Sequence, residues 1–511
     1  MLIYDKFCDM TQECQTTPIT ERISASWEQE PCLAWIKTFL DEVPEASLYM
    51  VGGAVRDSIL ERPNKDYDIV ACGVTPEKLA AQLKKIGKVD LVGVNFGVFK
   101  FHPANVSNPQ YFIDIALPRT EIPAGTGGSR DVEVASDPHT PIETDLARRD
   151  FTFNALAFNL RTHTLIDPHG GRADLDARVV RAVGDPRARF QEDYTRVLRA
   201  LRFAVQLDAK IEPDTWDALK QFTGNLLDTR ENKRLVPPET IGIEFLKALH
   251  ADPLKTLELW DASGALPIVM PEIATLQTCE QSPDVHSEGT VWEHTLTALR
   301  VLTTKDFTER FGNADLLTEL GVLLHDVGKP ITQSEPDPKN GRIHFFGHEK
   351  EGAQIIPRMR ERIKFDSAQE HSPFHVSMDD LAWIIENHMV SGAMRASTIE
   401  RKFITRAERG KALQAVMFCD AYGTFDAQGR NGAEGYKQFV ENPINKVRVA
   451  LQVSADAKNP LVCAADLMAR GVKPGPELGA LLKEAREIEL NGEHNKEKIM
   501  SALLKGATNE S

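Results

Sequence analysis

The 511-residue sequence has no apolar run near the roughly 18–20 residues that a membrane span requires, so no helical membrane anchor is expected. Its seven cysteines are scattered, odd in number and without a CxxC pair. That argues against a disulfide framework or a zinc ribbon and suits reduced thiols in a cytoplasm. The opening residues, MLIYDKFCDMTQECQTT, have no basic stretch followed by a long apolar core, so no secretory leader is expected. A net charge of −15 counts against wholesale coating of nucleic acid. Lysine is missing altogether between Arg172 and Arg202, where eight arginines occur (172, 178, 181, 187, 189, 196, 199 and 202). Arginine without lysine suggests planar, bidentate recognition of phosphates or bases, against the simpler reading of a solvated helix face.

What is present is an ordinary globular balance, 42% apolar and 26% charged, with length for about three or four domains. Residues 1–45 read as a helical lead-in, with PCLAWIKTFLDEV as an amphipathic segment. Over residues 46–182 the runs SLYMV, YDIVA, GVFKFH, YFIDIAL, NALAFNL, TLID and RVVRAV read as short strands bounded by turns. A long Gly/Thr/Ser/Pro-rich loop, EIPAGTGGSRDVEVASDPHTP, interrupts them, and its length marks it as functional or mobile. From Phe190 onward the pattern is helical. Eight of the 14 histidines crowd between His286 and His388, a density that points to a metal site.

The stretch VGGAVRDSILERPNKDYDIVAC, residues 51–72, combines two chemistries. Gly52 and Gly53 lie between an apolar strand and a helix start, where glycine permits positive φ and free N–H groups can meet an anion. Asp66 and Asp68 stand two apart, which on a strand puts both carboxylates on one face. Such a pair repels unless a cation lies between, and hard oxygen donors suit Mg²⁺. Asp114, in YFIDIAL, is placed to supply a third carboxylate. Metal held there would activate a hydroxyl and stabilise a leaving pyrophosphate.

GGAVRD, KDYDIV, DLARRDFTFNALAF (145–158), DPHGGRADL (167–175) and VGDPRARFQEDYTRVLRALRFAVQL (183–207) occur in order, and together they resemble the bacterial tRNA nucleotidyltransferase/poly(A) polymerase family, class II of the polymerase β superfamily. The resemblance implies template-independent addition of CCA to tRNA 3′ ends from CTP and ATP. It assigns Arg56, with Gly52 and Gly53, to the triphosphate, and Arg148, Arg149, Asp150 and Asn154 to triphosphate and ribose. In EDYTR it makes Asp193 and Arg196 the base-reading pair. The chemistry is apt: a carboxylate accepts from the exocyclic amino group of C or A, and a guanidinium donates to the ring nitrogen. Uracil and guanine present the reverse pattern. On a helix the two residues would share a face. Arg199 and Arg202 continue the stripe, as phosphate contacts or as packing.

The loop 119–141 looks full length, which disfavours a CC-only member but leaves A-only addition open. Poly(A) polymerases often carry a basic C-terminal extension, whereas this sequence ends KGATNES, so CCA addition is preferred. Where the family often has Glu–Arg, this chain has Glu239–Thr240. That puts in doubt any support of the nucleotide pocket by the PPETIGIEFLKAL helix.

The second constellation is VWEHT (His294), LLHDVGKP (His325, Asp326), FFGHEKEGA (His348), ENHMV (His388) and FCDAYG (Asp420), which resembles an HD domain, a helical metal-dependent phosphohydrolase fold. Imidazole and carboxylate donors suit a second divalent metal such as Mn, Fe, Ni or Mg. His286, His344, His371 and His375 read as surface or packing residues. In the tail, KPGPELG reads as a helix start.

The expected fold is therefore α+β: a helical N-terminal extension (1–45), a polymerase β-like nucleotidyltransferase head with a small mixed sheet (46–182), an all-α neck (183–250), an HD domain (251–430) and a helical tail (431–511). The expected partners are the tRNA 3′ end, CTP and ATP, with no membrane and no obligate protein partner. A rival of another class is an RNA-binding HD phosphohydrolase with an inactive head.

Overall fold

The computed structural model describes residues 18–64, 66–92, 98–108, 111–123, 127–128, 132–366, 373–389, 393–454 and 460–506. Residues 1–17 of the expected extension, His371, parts of the 119–141 loop and the last residues of the tail lie outside these. Two compact units are formed, 1–269 and 270–511. Among the described residues no helix is long and apolar enough to cross a membrane.

The first nine strands of the first unit are β1 (Ser47–Val51), β2 (Asp68–Cys72), β3 (Gly87–Val92), β4 (Val98–Pro103), β5 (Ile113–Ala116), β6 (Arg119–Pro123), β7 (Val132–Ser136), β8 (Ala157–Asn159) and β9 (Thr164–Ile166), followed by four two-residue strands that pair two by two. Seven of them make one mixed sheet in the order β3-β4-β5-β2-β1-β8-β9, with β2 and β5 parallel and the other pairs antiparallel. β6 and β7 pair separately, with Arg119 opposite Ser136 and Pro123 opposite Val132. The loop read as irregular thus contains a ladder. Its alternation is short and charged, too weak a signal to stand out.

Strand pairing sorts the sheet's two faces. Leu48, Met50, Ile69, Ala71, Phe99, Phe101, Ile113 and Ile115 are buried and lie on one face through their register. Val51, Val70 and Ala157 lie on the other, clustered with Ile142 and Leu146 of the helix Ile142–Ala147. Asp68 and Asp114 belong to this second face, directly opposite one another in the β2–β5 register.

Downstream, the neck helices Pro186–Glu192, Thr195–Gln206 and Pro238–Ala251 follow. The second unit is helical among its described residues. Its helices Val291–Val301, Leu316–Leu324, His348–Met359, Met378–Asn387 and Ala407–Gly423 carry or flank the clustered histidines. A Cβ on Gly423 would stand 2.8 Å from the Ala298 backbone. That close approach of two helices is what glycine allows here. In the tail, Pro476 opens the helix Pro476–Leu490, as KPGPELG implied.

Candidate nucleotidyl-transfer and metal sites

β1 runs directly into Gly52, which has φ +64° and caps the helix Gly53–Ile59. The left-handed backbone favours glycine here, and a Cβ would also lie 2.8 Å from Arg149 Nη1, so a larger residue would have to displace that guanidinium. Gly53 is different: its φ is not positive and a Cβ would meet nothing closer than 3.6 Å.

Three carboxylates lie by the same end of the sheet. Asp68 opens β2, and Asp114 faces it across the parallel pair. Asp66 precedes the strand in a turn where its N–H donates to Asn64 Oδ1 (3.3 Å), so the expectation that both aspartates lie on a strand holds for Asp68 alone. Asp68 keeps solvent access, yet partial desolvation by the protein around it pushes its carboxyl above the ordinary range. Asp114 and Asp66 push the same way, and Arg149 opposes them. Asp114 Oδ1 is buried without a hydrogen-bond partner, with Lys100 Nζ at 3.9 Å. Repelling carboxylates with an orphaned oxygen form a donor set that fits a hard divalent cation. The three carboxylates do not bring an oxygen each to within 4.8 Å of one another.

Around this end runs a hydrogen-bonded chain drawn from distant segments. Arg56 is gripped by Asp57 through Nε and Nη2 (2.9 and 2.8 Å) and donates from Nη1 to Asn154 Oδ1 (2.9 Å). Asn154 Nδ2 donates to Asp150 Oδ1 (3.0 Å), and Asp150 Oδ2 accepts from Arg199 Nε (2.7 Å). Burial alone would raise Asp150, but Arg199 and the bonds from Asn154 and Phe151 outweigh it and hold the carboxyl below its usual range. Arg148 and Arg149 are both anchored by buried Asp145, at 2.6 and 3.2 Å. Phe151, Phe153 and Phe203 pack ring to ring at 5.2–5.8 Å, with the Arg56 and Arg199 guanidinia over Phe203 at 5.2 and 5.4 Å. Arg202 lies 3.9 Å from the Phe203 centroid and pairs with Glu244 (2.6 Å). The helix with the unusual Glu239–Thr240 thus still braces the neck, through Glu244.

Asp193 and Arg196 differ from expectation in one respect. Asp193 is extended (φ −153°, ψ 105°) between two helices, not on one, and its carboxylate accepts from Thr195 N and Oγ1 (2.9 and 2.6 Å). A carboxylate bonded to the N–H two residues on starts a helix instead of pairing along it. Arg196 bonds Glu192 (2.7 Å) and the Arg189 and Arg148 carbonyls (2.9 and 3.2 Å). Tyr194 N donates to Gly127 O (3.0 Å), which ties the loop to this segment.

The arginines of the stripe have carboxylate partners within the chain. Arg172, Arg178, Arg181, Arg189, Arg196, Arg199 and Arg202 pair with Asp176, Asp208, Asp174, Glu192, Glu192, Asp150 and Glu244 respectively. Seven of the eight thus pair with the chain's own carboxylates, Arg172, Arg178 and Arg181 at the surface and Arg189, Arg196 and Arg202 largely covered.

In the second unit, His294, His325, Asp326, His348 and His388 are all buried and Asp420 is partly so. Their donor atoms fall into two groups, His294–His325–Asp420 and Asp326–His348–His388. The Nε2 atoms of His294 and His325 are 3.2 Å apart, and those of His348 and His388 are 3.3 Å apart. Asp326 offers Oδ2 to His325 (3.2 Å) and Oδ1 to His348 (3.3 Å), while Asp420 Oδ1 is 3.2 Å from His294 Nε2. Burial and His325 push His388 down to about 4. Burial would lower His294 too, but Asp420 and Glu288 hold it up at about 9. Converging imidazoles and carboxylates in a dry site fit a divalent transition metal. Lys329, bonded to Asp326 Oδ2 at 2.7 Å and to Gln281 at 2.8 Å, completes the charge arrangement.

Sequence reasoning passed over Asp57, Asp145, Glu244, Glu288 and Lys329. Helical spacing flags Asp145 (three and four before the arginines) and Lys329 (three after Asp326). For Glu244 and Glu288 only folding reveals the partner.

Residues 48–181 match the poly A polymerase head domain family, and residues 291–413 match the HD domain family. A CCA-adding enzyme in its apo form II superposes with TM-score 0.61 at 21% identity, over 96% of this chain and 99% of that one. The Thermotoga maritima CCA-adding enzyme complexed with tRNA superposes at TM-score 0.59 and 21% identity, over 96% and 98%. These likenesses establish a shared fold. The multifunctional CCA protein of Verminephrobacter eiseniae is 33% identical over 455 residues, 86% of this chain and 97% of that one. With such identity sustained along nearly the whole of a relative, the chain belongs to the family of multifunctional CCA proteins.

Proposed function

We propose that this enzyme adds C, C and A to the 3′ end of tRNA, using CTP and ATP and releasing pyrophosphate, in the cytoplasm. The observation that carries the reading is the continuous chain Asp57–Arg56–Asn154–Asp150–Arg199, which joins three distant motifs beside the sheet end where Asp68 faces Asp114. The name of its relatives supports the same reading. Asp66, Asp68 and Asp114 are the residues to hold Mg²⁺, which when bound supplies activation of the 3′-hydroxyl and neutralisation of the leaving pyrophosphate. The new bond forms between that hydroxyl oxygen and the α-phosphorus, and the bond to the β-phosphate oxygen breaks. Gly52, Gly53, Arg56, Arg148 and Arg149 surround the triphosphate. Asp193 accepts the amino group of C or A while Arg196, its plane fixed by Glu192, donates to the ring nitrogen. The functional division is a head (46–182), neck (183–250), HD domain (251–430) and tail (431–511).

The test is incubation with tRNA lacking CCA and each nucleotide triphosphate alone and in pairs. Incorporation of CTP, then ATP, is expected. Failure to incorporate CTP would turn the reading to A-addition or poly(A) synthesis. A second activity is favoured by the buried histidine cluster: metal-dependent hydrolysis of a phosphomonoester or a 2′,3′-cyclic phosphodiester, expected to vanish in His325→Ala while nucleotide addition persists.

A further inference from the structure

The four histidines that face one another in the second unit solve a common problem in two ways. A neutral imidazole carries its proton on one nitrogen and its lone pair on the other, so the nitrogen that binds metal is chosen by what the other nitrogen contacts. His325 Nδ1 meets the Val322 carbonyl at 2.8 Å, His348 Nδ1 meets Phe345 O at 2.8 Å, and His388 Nδ1 meets Ile385 O at 2.7 Å. Each acceptor is a main-chain carbonyl three residues earlier, which no side-chain substitution removes. His294 alone has no such carbonyl partner at Nδ1. Its Nδ1 donates to Glu288 Oε1 at 2.9 Å, and its Nε2 faces His325 and Asp420.

Glu288 is built for this position. Its side chain is 6% exposed, Oε1 also accepts from His286 Nδ1 at 2.8 Å, and Oε2 accepts from Phe425 N–H at 2.9 Å. Both oxygens therefore face donors. The carboxylate addresses the side of His294 away from the clustered Nε2 atoms. This makes it a hydrogen-bond acceptor for a ligand and not a ligand of that cluster.

We propose that Glu288 is the positioning residue of the second unit's metal site: it holds the proton on His294 Nδ1 and so commits Nε2 to a divalent transition metal. The proposal rests on the reading of this cluster as a metal site. An amide cannot replace the carboxylate, because three N–H groups converge on two acceptor oxygens and Gln keeps only one. Either Phe425 N–H or the two imidazole protons then meet a donor. His286, by contrast, is a second donor to the same oxygen, and its loss leaves the His294 bond in place.

The experiment measures Ni²⁺ affinity of the full chain by competition with a chromogenic chelator. Glu288→Gln is expected to weaken binding by about 10- to 100-fold, the usual range for an outer carboxylate, while nucleotide addition is unchanged. His286→Ala is expected to bind at the wild-type level. Absence of Ni²⁺ binding by the wild type would overturn the metal-site reading itself. Wild-type affinity in Glu288→Gln would overturn the role of Glu288 alone. If Glu288→Gln also lowers the melting temperature of the metal-free protein, long-range ¹H–¹⁵N spectra of the Zn²⁺-loaded wild type decide. A proton on His294 Nδ1 supports the proposal, and a metal-bound Nδ1 overturns it.

Discussion

The head and the HD region arrange charge in opposite ways. In the head, Asp66 and Asp68 are open to solvent, while the guanidinium–carboxylate chain around them is buried or half-buried. In the HD region most of the clustered imidazole and carboxylate side chains are themselves buried, Asp326 and four imidazoles among them. The contrast follows from what each site receives. A nucleoside triphosphate and an RNA end bring their own charge, so the head leaves carboxylates hydrated and spends its rigid bonding on orientation. A small ion brings no shape, so the HD region must converge its donors beforehand and fix the tautomer of each imidazole.

The contrast breaks most sharply at Asp68. Asp68→Ala is expected to cut nucleotide addition by roughly a thousandfold, several kcal/mol of lost charge stabilisation, while the melting temperature stays near wild type because the residue is exposed. Initial rates beside a thermal melt check both halves. Asp326→Ala should do the reverse. It strands buried Lys329 and is expected to destabilise the second unit by about 3–5 kcal/mol, with nucleotide addition retained. Loss of addition in that variant would mean that the two regions depend on each other.

Asp150→Asn sharpens the comparison from within the head. It leaves partly exposed Arg199 without its counter-charge, and a loss of about 1–2 kcal/mol is expected in denaturant titration, with slower addition. The same pair predicts a pH dependence. Because the folded carboxyl lies below the ordinary 3.8, its contribution is complete above that value and is lost as pH falls through the lowered one. Wild type should therefore lose its advantage over Asp150→Asn on acidification below about pH 4. A constant difference across that range would show that the pair is not responsible. The smallest effect belongs to the exposed Arg178–Asp208 pair, where Arg178→Ala should cost about 0.2–1 kcal/mol and leave activity unchanged.

Much of the head was legible because strands and motifs are local. Alternation located β1, β2, β4 and β5, and the order of GGAVRD, KDYDIV, RRDFTFNA and EDYTR pointed to nucleotidyl transfer. Folding added competing partners to two of the expectations. Asp193 and Arg196 have the spacing of one helix face, but Thr195 holds the aspartate just ahead of the helix and Glu192 holds the arginine. Seven arginines of the lysine-free stripe also meet carboxylates, some over 40 positions away, which composition could not reveal. β3 alternates in Lys88-Val89-Asp90-Leu91 but was passed over, while the β6–β7 ladder is too short and charged to stand out.

By itself, the sequence determined which chemistries are available and where the chain must turn: carboxylates two apart, a Gly–Gly turn, histidines at the ends of apolar helices. Spacing along the chain sets side-chain periodicity, and periodicity needs no tertiary contact. Only the folded chain decided which charges oppose one another. It set Asp114 against Asp68 in a parallel register and drew Glu288 beneath His294. Electrostatic and hydrogen-bond partnership depends on distance in space, and many competing acceptors lie at every distance in sequence.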